Sequence, residues 1–190
     1  ELLERQNISY VDATCPFVKK IHRIVERESA RGREILIAGN PVHPEVEGIC
    51  GWCGRGATVV SDKAGSEDFM VRSHEKISVV SQTTFNYNKF KDLVEILSEK
   101  SYDSIILNTI CDATEKRQRE AQAIAGDADT MLVIGGRQSS NTQKLYEICK
   151  EECENTYYIQ TLGDLDLEVL KSKSSVGITA GASTPNNIIE

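Results

Sequence analysis

Ile35-Leu36-Ile37-Ala38-Gly39 and Met131-Leu132-Val133-Ile134-Gly135 are the two stretches on which the fold turns, and they stand 96 residues apart. Each is short, continuously apolar and closed by glycine, the pattern of a strand covered on both faces in a parallel sheet. Around them the period changes. From Pro16 onward the apolar residues Phe17, Val18, Ile21, Ile24 and Val25 recur at helical spacing, and Arg31-Gly32-Arg33 ends the run. Strands alternating with helices predict an α/β fold of small modules with short parallel sheets.

The 96-residue offset extends well beyond those strands. It lays Cys15 on Cys111, each after an apolar run, Ile8-Ser9-Tyr10-Val11 and Ile105-Ile106-Leu107. It also lays His43 on Ser139, Glu45 on Asn141, and Val80-Ser81-Gln82-Thr83 on Val176-Gly177-Ile178-Thr179. An ungapped set of this kind indicates an internal duplication. Each copy reads as strand, Cys, helix, strand, polar turn, helix or loop, strand and final strand. Ligands of such sheets gather at the carboxyl ends of strands. Cys15, His43, Cys111, Ser139 and Ser183 are therefore expected on one rim.

Composition excludes several classes of function. The 190 residues carry 22 Lys and Arg against 29 Asp and Glu, a net charge of −7, which argues against a general nucleic-acid binder. No apolar run approaches the roughly 18 to 20 residues that span a bilayer. Six cysteines are too sparse for a disulfide scaffold, so reduced thiols or metal ligands, and a cytoplasmic protein, are expected. Glu1 to Arg5 reads as the tail of a helix, and Ser183-Thr184-Pro185 as an N-cap with proline at the first helical position. The chain is accordingly expected to be a piece of a longer protein.

The chemistry-bearing residues fall into three groups. Cys15 and Cys111 stand beside helix N-termini, where the dipole favours a thiolate and metal ligation, and repeat equivalence argues against two unrelated core thiols. Cys50 and Cys53 form a C-x-x-C, the spacing of a dithiol pair or half a zinc site, although it follows a loop rather than a strand. Cys149 and Cys153 read as core or surface thiols. His43 and Glu45 hold an imidazole and a carboxylate two residues apart, suited to an anionic ligand and to proton transfer. His22, inside a helix, and His74, in a charged loop, read as structural or exposed. Ser139-Ser140-Asn141, and the turn around Ser183, place hydroxyls and amides at helix starts, which serve either as phosphate sites or as ordinary caps.

Asp12-Ala13-Thr14-Cys15-Pro16, His43-Pro44-Glu45-Val46-Glu47-Gly48, Ser81-Gln82-Thr83-Thr84, Cys111-Asp112-Ala113-Thr114, Ser139-Ser140-Asn141 and Thr179-Ala180-Gly181-Ala182-Ser183 resemble the 4-hydroxy-3-methylbut-2-enyl diphosphate reductase (LytB/IspH) family, in family order and over nearly the whole chain. The resemblance implies a trefoil of three α/β modules around a 4Fe-4S cluster. Residues 1–108 would hold the second module, after the tail of the first, and 109–190 the third, with the first module absent from this chain. It implies reductive removal of an allylic hydroxyl from a small diphosphate substrate, the last step of non-mevalonate isoprenoid synthesis. Electrons would come from a donor such as ferredoxin or flavodoxin, with no nucleic acid or membrane involved. By position, Cys15 and Cys111 match two of three cluster ligands, Glu45 the proton donor and Thr83 its neighbour. His43, Ser139, Ser140, Asn141 and Ser183 match diphosphate binders. Two rival expectations are a dithiol oxidoreductase or electron carrier acting through Cys50 and Cys53, and a cofactor-free module that binds a phosphorylated ligand.

Overall fold

A computed structural model describes residues 2–70, 76–170 and 174–189, so His74 lies outside the described residues. In chain order the elements are α1 (Leu2–Arg5), α2 (Pro16–Ala30), β1 (Glu34–Ala38), α3 (Pro44–Gly51), β2 (Thr58–Val60), α4 (Lys63–Asp68), β3 (Ile77–Ser81), α5 (Tyr87–Glu99) and β4 (Ser104–Ile106). There follow α6 (Asp112–Asp127), β5 (Thr130–Ile134), α7 (Ser140–Glu152), β6 (Thr156–Ile159), a 3-10 turn (Leu162–Asp164), α8 (Leu167–Leu170), β7 (Val176–Ala180) and α9 (Asn186–Ile189).

Two parallel sheets result, of order β2-β1-β3-β4 and β6-β5-β7. The α/β class with short parallel sheets is as expected. Side chains alternate across β1, so Ile35 and Ile37 join Ile21, Val25, Val46, Ile49 and Val80 on one face. Leu36 and Ala38 join Val79, Phe90, Leu93 and Leu97 on the other. With both faces covered, β1 carries no polar residue beyond its half-buried first position, Glu34, which is why Ile35 to Ala38 reads as an unbroken apolar run. The second sheet has its own cores, one around Met131, Val133, Leu145 and Cys149, the other around Leu132, Ile134 and Ile159.

Helix α2 begins with Pro at its first turn, buries Ile21 and Val25 one turn apart, and stops before Gly32, whose φ of +78° few other residues adopt. On its inner side Glu28 is buried and paired with Arg27 at 2.8 Å, Arg31 at 3.1 Å and Arg33 at 3.4 Å. A charge so far from water needs partners of this kind.

The duplication is visible in the backbone, with one change of register. Pro16 and Asp112, Glu34 and Thr130, and Pro44 and Ser140 open equivalent elements 96 apart. Beyond α3 and α7 the offset becomes 99. Gly39 N–H donates to Val60 O and Gly135 N–H to Ile159 O, both at 2.9 Å. Gln82 N–H donates to Ala38 O at 2.8 Å, and Gly181 N–H to Ile134 O at 2.9 Å. The expected match of Val80–Thr83 with Val176–Thr179 is therefore corrected. Ser81 matches Ala180 and Thr84 matches Ser183, because α7, at 13 residues, outgrows the 8-residue α3.

Two further expectations are revised. Ile8–Val11 forms no strand, Val11 being 93% exposed, because no described strand lies alongside to pair with its backbone. Cys15 therefore does not stand at a strand end. The last helix starts at Asn186, with Pro185 just before it rather than inside it.

Polar contacts join the two sheets' layers. Gln118 on α6 accepts from Tyr87 N–H at 2.9 Å and donates to Phe85 O at 3.0 Å. Lys89 meets Glu147 at 2.9 Å, and Arg119 lies over the Tyr87 ring at 4.6 Å.

Candidate functional site

Glu45 stands in the first turn of α3, capped by His43. The His43 Nδ1 accepts from Glu45 N–H at 3.1 Å, which in a neutral ring leaves Nε2–H as the free donor. Both Glu45 oxygens reach across to the loop after β3. Oε1 accepts from Thr83 N–H at 2.6 Å, and Oε2 from the Thr83 hydroxyl at 2.7 Å. The carboxyl is held in one orientation by a buried threonine. On its other side, Thr83 O accepts from Cys111 N–H at 3.0 Å. Acid, hydroxyl and thiol-bearing residue thus form one chain of contacts, which brings His43, Glu45, Thr83 and Cys111 together.

Ser139, Ser140 and Asn141 begin α7. The Ser139 hydroxyl accepts from Thr142 N–H at 3.4 Å, so it does cap the helix, while its own proton remains to be given. Ser140 Oγ lies 2.9 Å from Thr84 Oγ1, which brings this helix start to the loop that carries Thr83. Asn141 is only 7% exposed, yet among the described residues neither its amide oxygen nor its amide nitrogen has a hydrogen-bond partner. Buried polar atoms are rarely left so, and beside a helix N-terminus this pair is placed to receive a ligand. The Ser183 loop folds over the same turn. A Cβ at Gly181 would lie 2.1 Å from Thr142 Oγ1, so only glycine permits the approach. Ser183 itself is exposed, with no side-chain hydrogen bond among the described residues.

Cys15 and Cys111 are the N-caps of α2 and α6, and neither thiol engages its helix. The loop before each is tied down in the same way. Asp12 accepts from Thr14 N–H at 2.9 Å and Asn108 from Ile110 N–H at 3.1 Å. A second tether follows seven residues on, Asp12 to Lys19 at 2.6 Å and Asn108 to Glu115 at 3.2 Å. Two thiols freed of capping duty suit a soft metal such as the iron of an iron–sulfur cluster. Among the described residues no group of three or more His, Cys, Asp or Glu could hold a metal ion, so these two make only part of such a ligand set.

The remaining cysteines are built into the cores. Burial pushes the Cys50 thiol up, and Cys53, whose Sγ donates to Ile49 O at 3.4 Å, up to about 11. A reactive dithiol needs the opposite shift, which counts against a redox role for this pair. Cys149 is pushed up to about 12 by burial. His22 stacks on Trp52, with ring centroids 5.3 Å apart, and burial lowers its pKa against the pull of Glu45 and Asp12. It is a packed helix residue, as its position in the sequence suggested.

The sequence reading missed Gln82 and Thr84. Both lie in the Ser81-Gln82-Thr83-Thr84 motif, but only Thr83 was singled out. The true 99-residue offset would have matched Thr84 with Ser183.

Comparison with known proteins places this geometry. A family model described as LytB protein matches residues 1–190. A relative from Caldanaerobacter subterraneus subsp. tengcongensis, named 4-hydroxy-3-methylbut-2-enyl diphosphate reductase, is 45% identical over all of this chain and 65% of its own length. A protein of the same name from Clostridioides difficile (strain 630) is 43% identical over 97% of this chain and 66% of its own length. The chain thus spans about 65% of the length of these curated relatives. Among solved structures, the E-1-hydroxy-2-methyl-but-2-enyl-4-diphosphate reductase of Plasmodium falciparum superposes with a TM-score of 0.90 at 27% identity, covering 98% of this chain and 59% of that one. A second, described as the terminal enzyme of the non-mevalonate pathway, gives 0.54 at 37% identity, covering 99% and 67%. By sequence over its full length and by fold, the chain belongs to the LytB protein family.

Proposed function

We propose that this chain forms the larger part of a 4-hydroxy-3-methylbut-2-enyl diphosphate reductase, which takes up two electrons and two protons and releases the allylic hydroxyl of its substrate as water, to give isopentenyl and dimethylallyl diphosphates. The observation that carries the reading is the Glu45–Thr83 pair, joined through the Thr83 carbonyl to Cys111. Residues 1–108 and 109–190 would be its second and third modules. Cys15 and Cys111 would supply two of the three cysteine ligands of a 4Fe-4S cluster, the third coming from residues beyond this chain. When bound, the cluster supplies two electrons and a Lewis-acidic iron. A cytoplasmic carrier such as ferredoxin or flavodoxin would deliver the electrons. No described helix is long and apolar enough to cross a membrane.

The residues divide the remaining work. Asn141, Ser139 and Ser183 donate to the diphosphate at the start of α7, joined by the Nε2–H of His43. Thr83 fixes the Glu45 carboxyl so that its proton meets the departing hydroxyl in one geometry, and a general acid so positioned contributes about 10² to 10⁴ in rate. Thr83 is buried and Glu45 half-buried, so the pair is only partly open to water.

Replacement of the proposed ligands tests the reading. In the full-length protein, Cys15→Ser and Cys111→Ser should each lose the broad visible absorbance of an iron–sulfur centre together with reductase activity, whereas Cys50→Ser keeps both. A Cys111→Ser protein that retains its cluster would overturn the assignment. The dithiol alternative requires the reverse pattern.

A further inference from the structure

Gln82 is 1% exposed and lies at the meeting point of the two halves, between the loops after β1 and β3 and the first turn of α7. Its Oε1 accepts from Asn40 N–H at 3.2 Å. A backbone N–H can only donate, so this contact fixes which end of the amide is which. Nε2 then faces two hydroxyls, Thr84 Oγ1 at 3.1 Å and Ser140 Oγ at 3.4 Å, which are themselves 2.9 Å apart. The sequence makes room for this arrangement. A Cβ at Gly39 would sit 2.7 Å from Val46 Cγ2 and 3.3 Å from Gln82 Cβ, so any larger residue would push the amide away.

Counting protons leaves the triangle with one to spare. Nε2 has two hydrogens and accepts none, so each hydroxyl receives one on a lone pair. One hydroxyl then donates to the other. A single hydroxyl proton, on Ser140 or on Thr84, is left without an acceptor inside the triangle, at the start of α7 where the Asn141 amide has no partner among the described residues.

We propose that Gln82 is a positioning residue that occupies a lone pair on each hydroxyl of the Thr84–Ser140 pair, so that one hydroxyl proton is always presented to an anion at the α7 N-terminus. Gln82 touches no ligand itself. Without its two donors the hydroxyls can pair with other groups, or turn lone pairs toward the phosphate oxygens. This rests on the reading that the diphosphate binds beside Asn141, and the test separates the two.

Calorimetry of inorganic diphosphate binding to the cluster-loaded full-length protein, alongside steady-state kinetics, supplies that test. Gln82→Met keeps the shape without charge or donors. It should bind diphosphate about five- to twentyfold more weakly and raise KM to match, with kcat within about twofold and cluster absorbance unchanged, a split that loss of folding would not produce. Gln82→Glu should be weaker still at pH 8. Its affinity relative to wild type should recover as the pH falls, because the protonated acid regains one donor. Should the Met variant fail to accumulate, this pH recovery alone decides, and a flat ratio overturns the proposal. Asn141→Ala reports on the underlying reading. If it weakens diphosphate binding while Gln82→Met binds as wild type does, Gln82 is a bystander. If neither variant weakens binding, the diphosphate site itself is misplaced.

Discussion

Glu45 shows how little of a site's precision lies in residue type. Many surface turns carry a glutamate two residues after a histidine. This one is set apart by the two short bonds from Thr83, 38 positions away. Glu45→Gln preserves the shape, but it can offer only one acceptor to Thr83 and has no proton to release. In the full-length enzyme kcat should fall by about 10²-fold or more with KM little changed, measured under saturating reductant. An unaffected kcat would assign the acid role to another group. Reading the residue types alone found Glu45, His43 and Asn141, since a carboxylate, an imidazole and an amide at helix starts are conspicuous. Gln82 and Thr84 escaped notice because an amide and a hydroxyl acquire meaning only through the neighbours that folding brings.

Elements were legible where their pattern is self-contained. The strands β1 and β5 and the helix α2 announce themselves by continuous or 3.6-spaced apolar residues. The segment 8–11 carries the same strand chemistry as 105–107, but a strand exists only when another backbone answers its hydrogen bonds. The three-residue change of offset was hidden in the unequal lengths of α3 and α7, which an ungapped comparison cannot detect. The start of α7 has a constraint of its own. Gly135, at φ +151°, and Gly181 both leave their Cβ space to Thr142 Oγ1, which lies 2.7 Å and 2.1 Å from those positions. Gly181→Ala should destabilise the protein by about 1–3 kcal/mol through overpacking. Adding Thr142→Ala should return most of that loss, a non-additivity that chemical denaturation of the two single variants and the double would register. Simple addition of the two losses would show that the loop relaxes elsewhere.

At the scale of the whole molecule, apolar cores sit within each sheet's layers, and polar contacts bridge between them. The ion pair of Lys89 with Glu147 is one such bridge. Burial works against the Glu147 carboxylate, but hydrogen bonds from Lys144 and Lys89 hold its pKa below the ordinary value. A depressed carboxylate stabilises the fold above the usual range near pH 4, and that contribution fades as the pH falls through the lower folded value. Wild type should therefore exceed Glu147→Gln in urea midpoint at pH 7, with the gap closing as the pH falls below the usual carboxylate range. A gap that is constant with pH would deny the pair any part in acid sensitivity. The tethers beside the two N-cap cysteines carry a different lesson, about descent. One copy holds its loop with Asp12 and Lys19, the other with Asn108 and Glu115. The geometry has been inherited, while the chemistry has been traded. An aspartate copied into position 108 would face a glutamate, and a glutamate copied into position 19 would face an aspartate. Those two borrowings each set like charges against one another, whereas exchanging both residues together restores a working tether. Duplication made the halves alike, and each loop now reads its anchor and its tether as a pair.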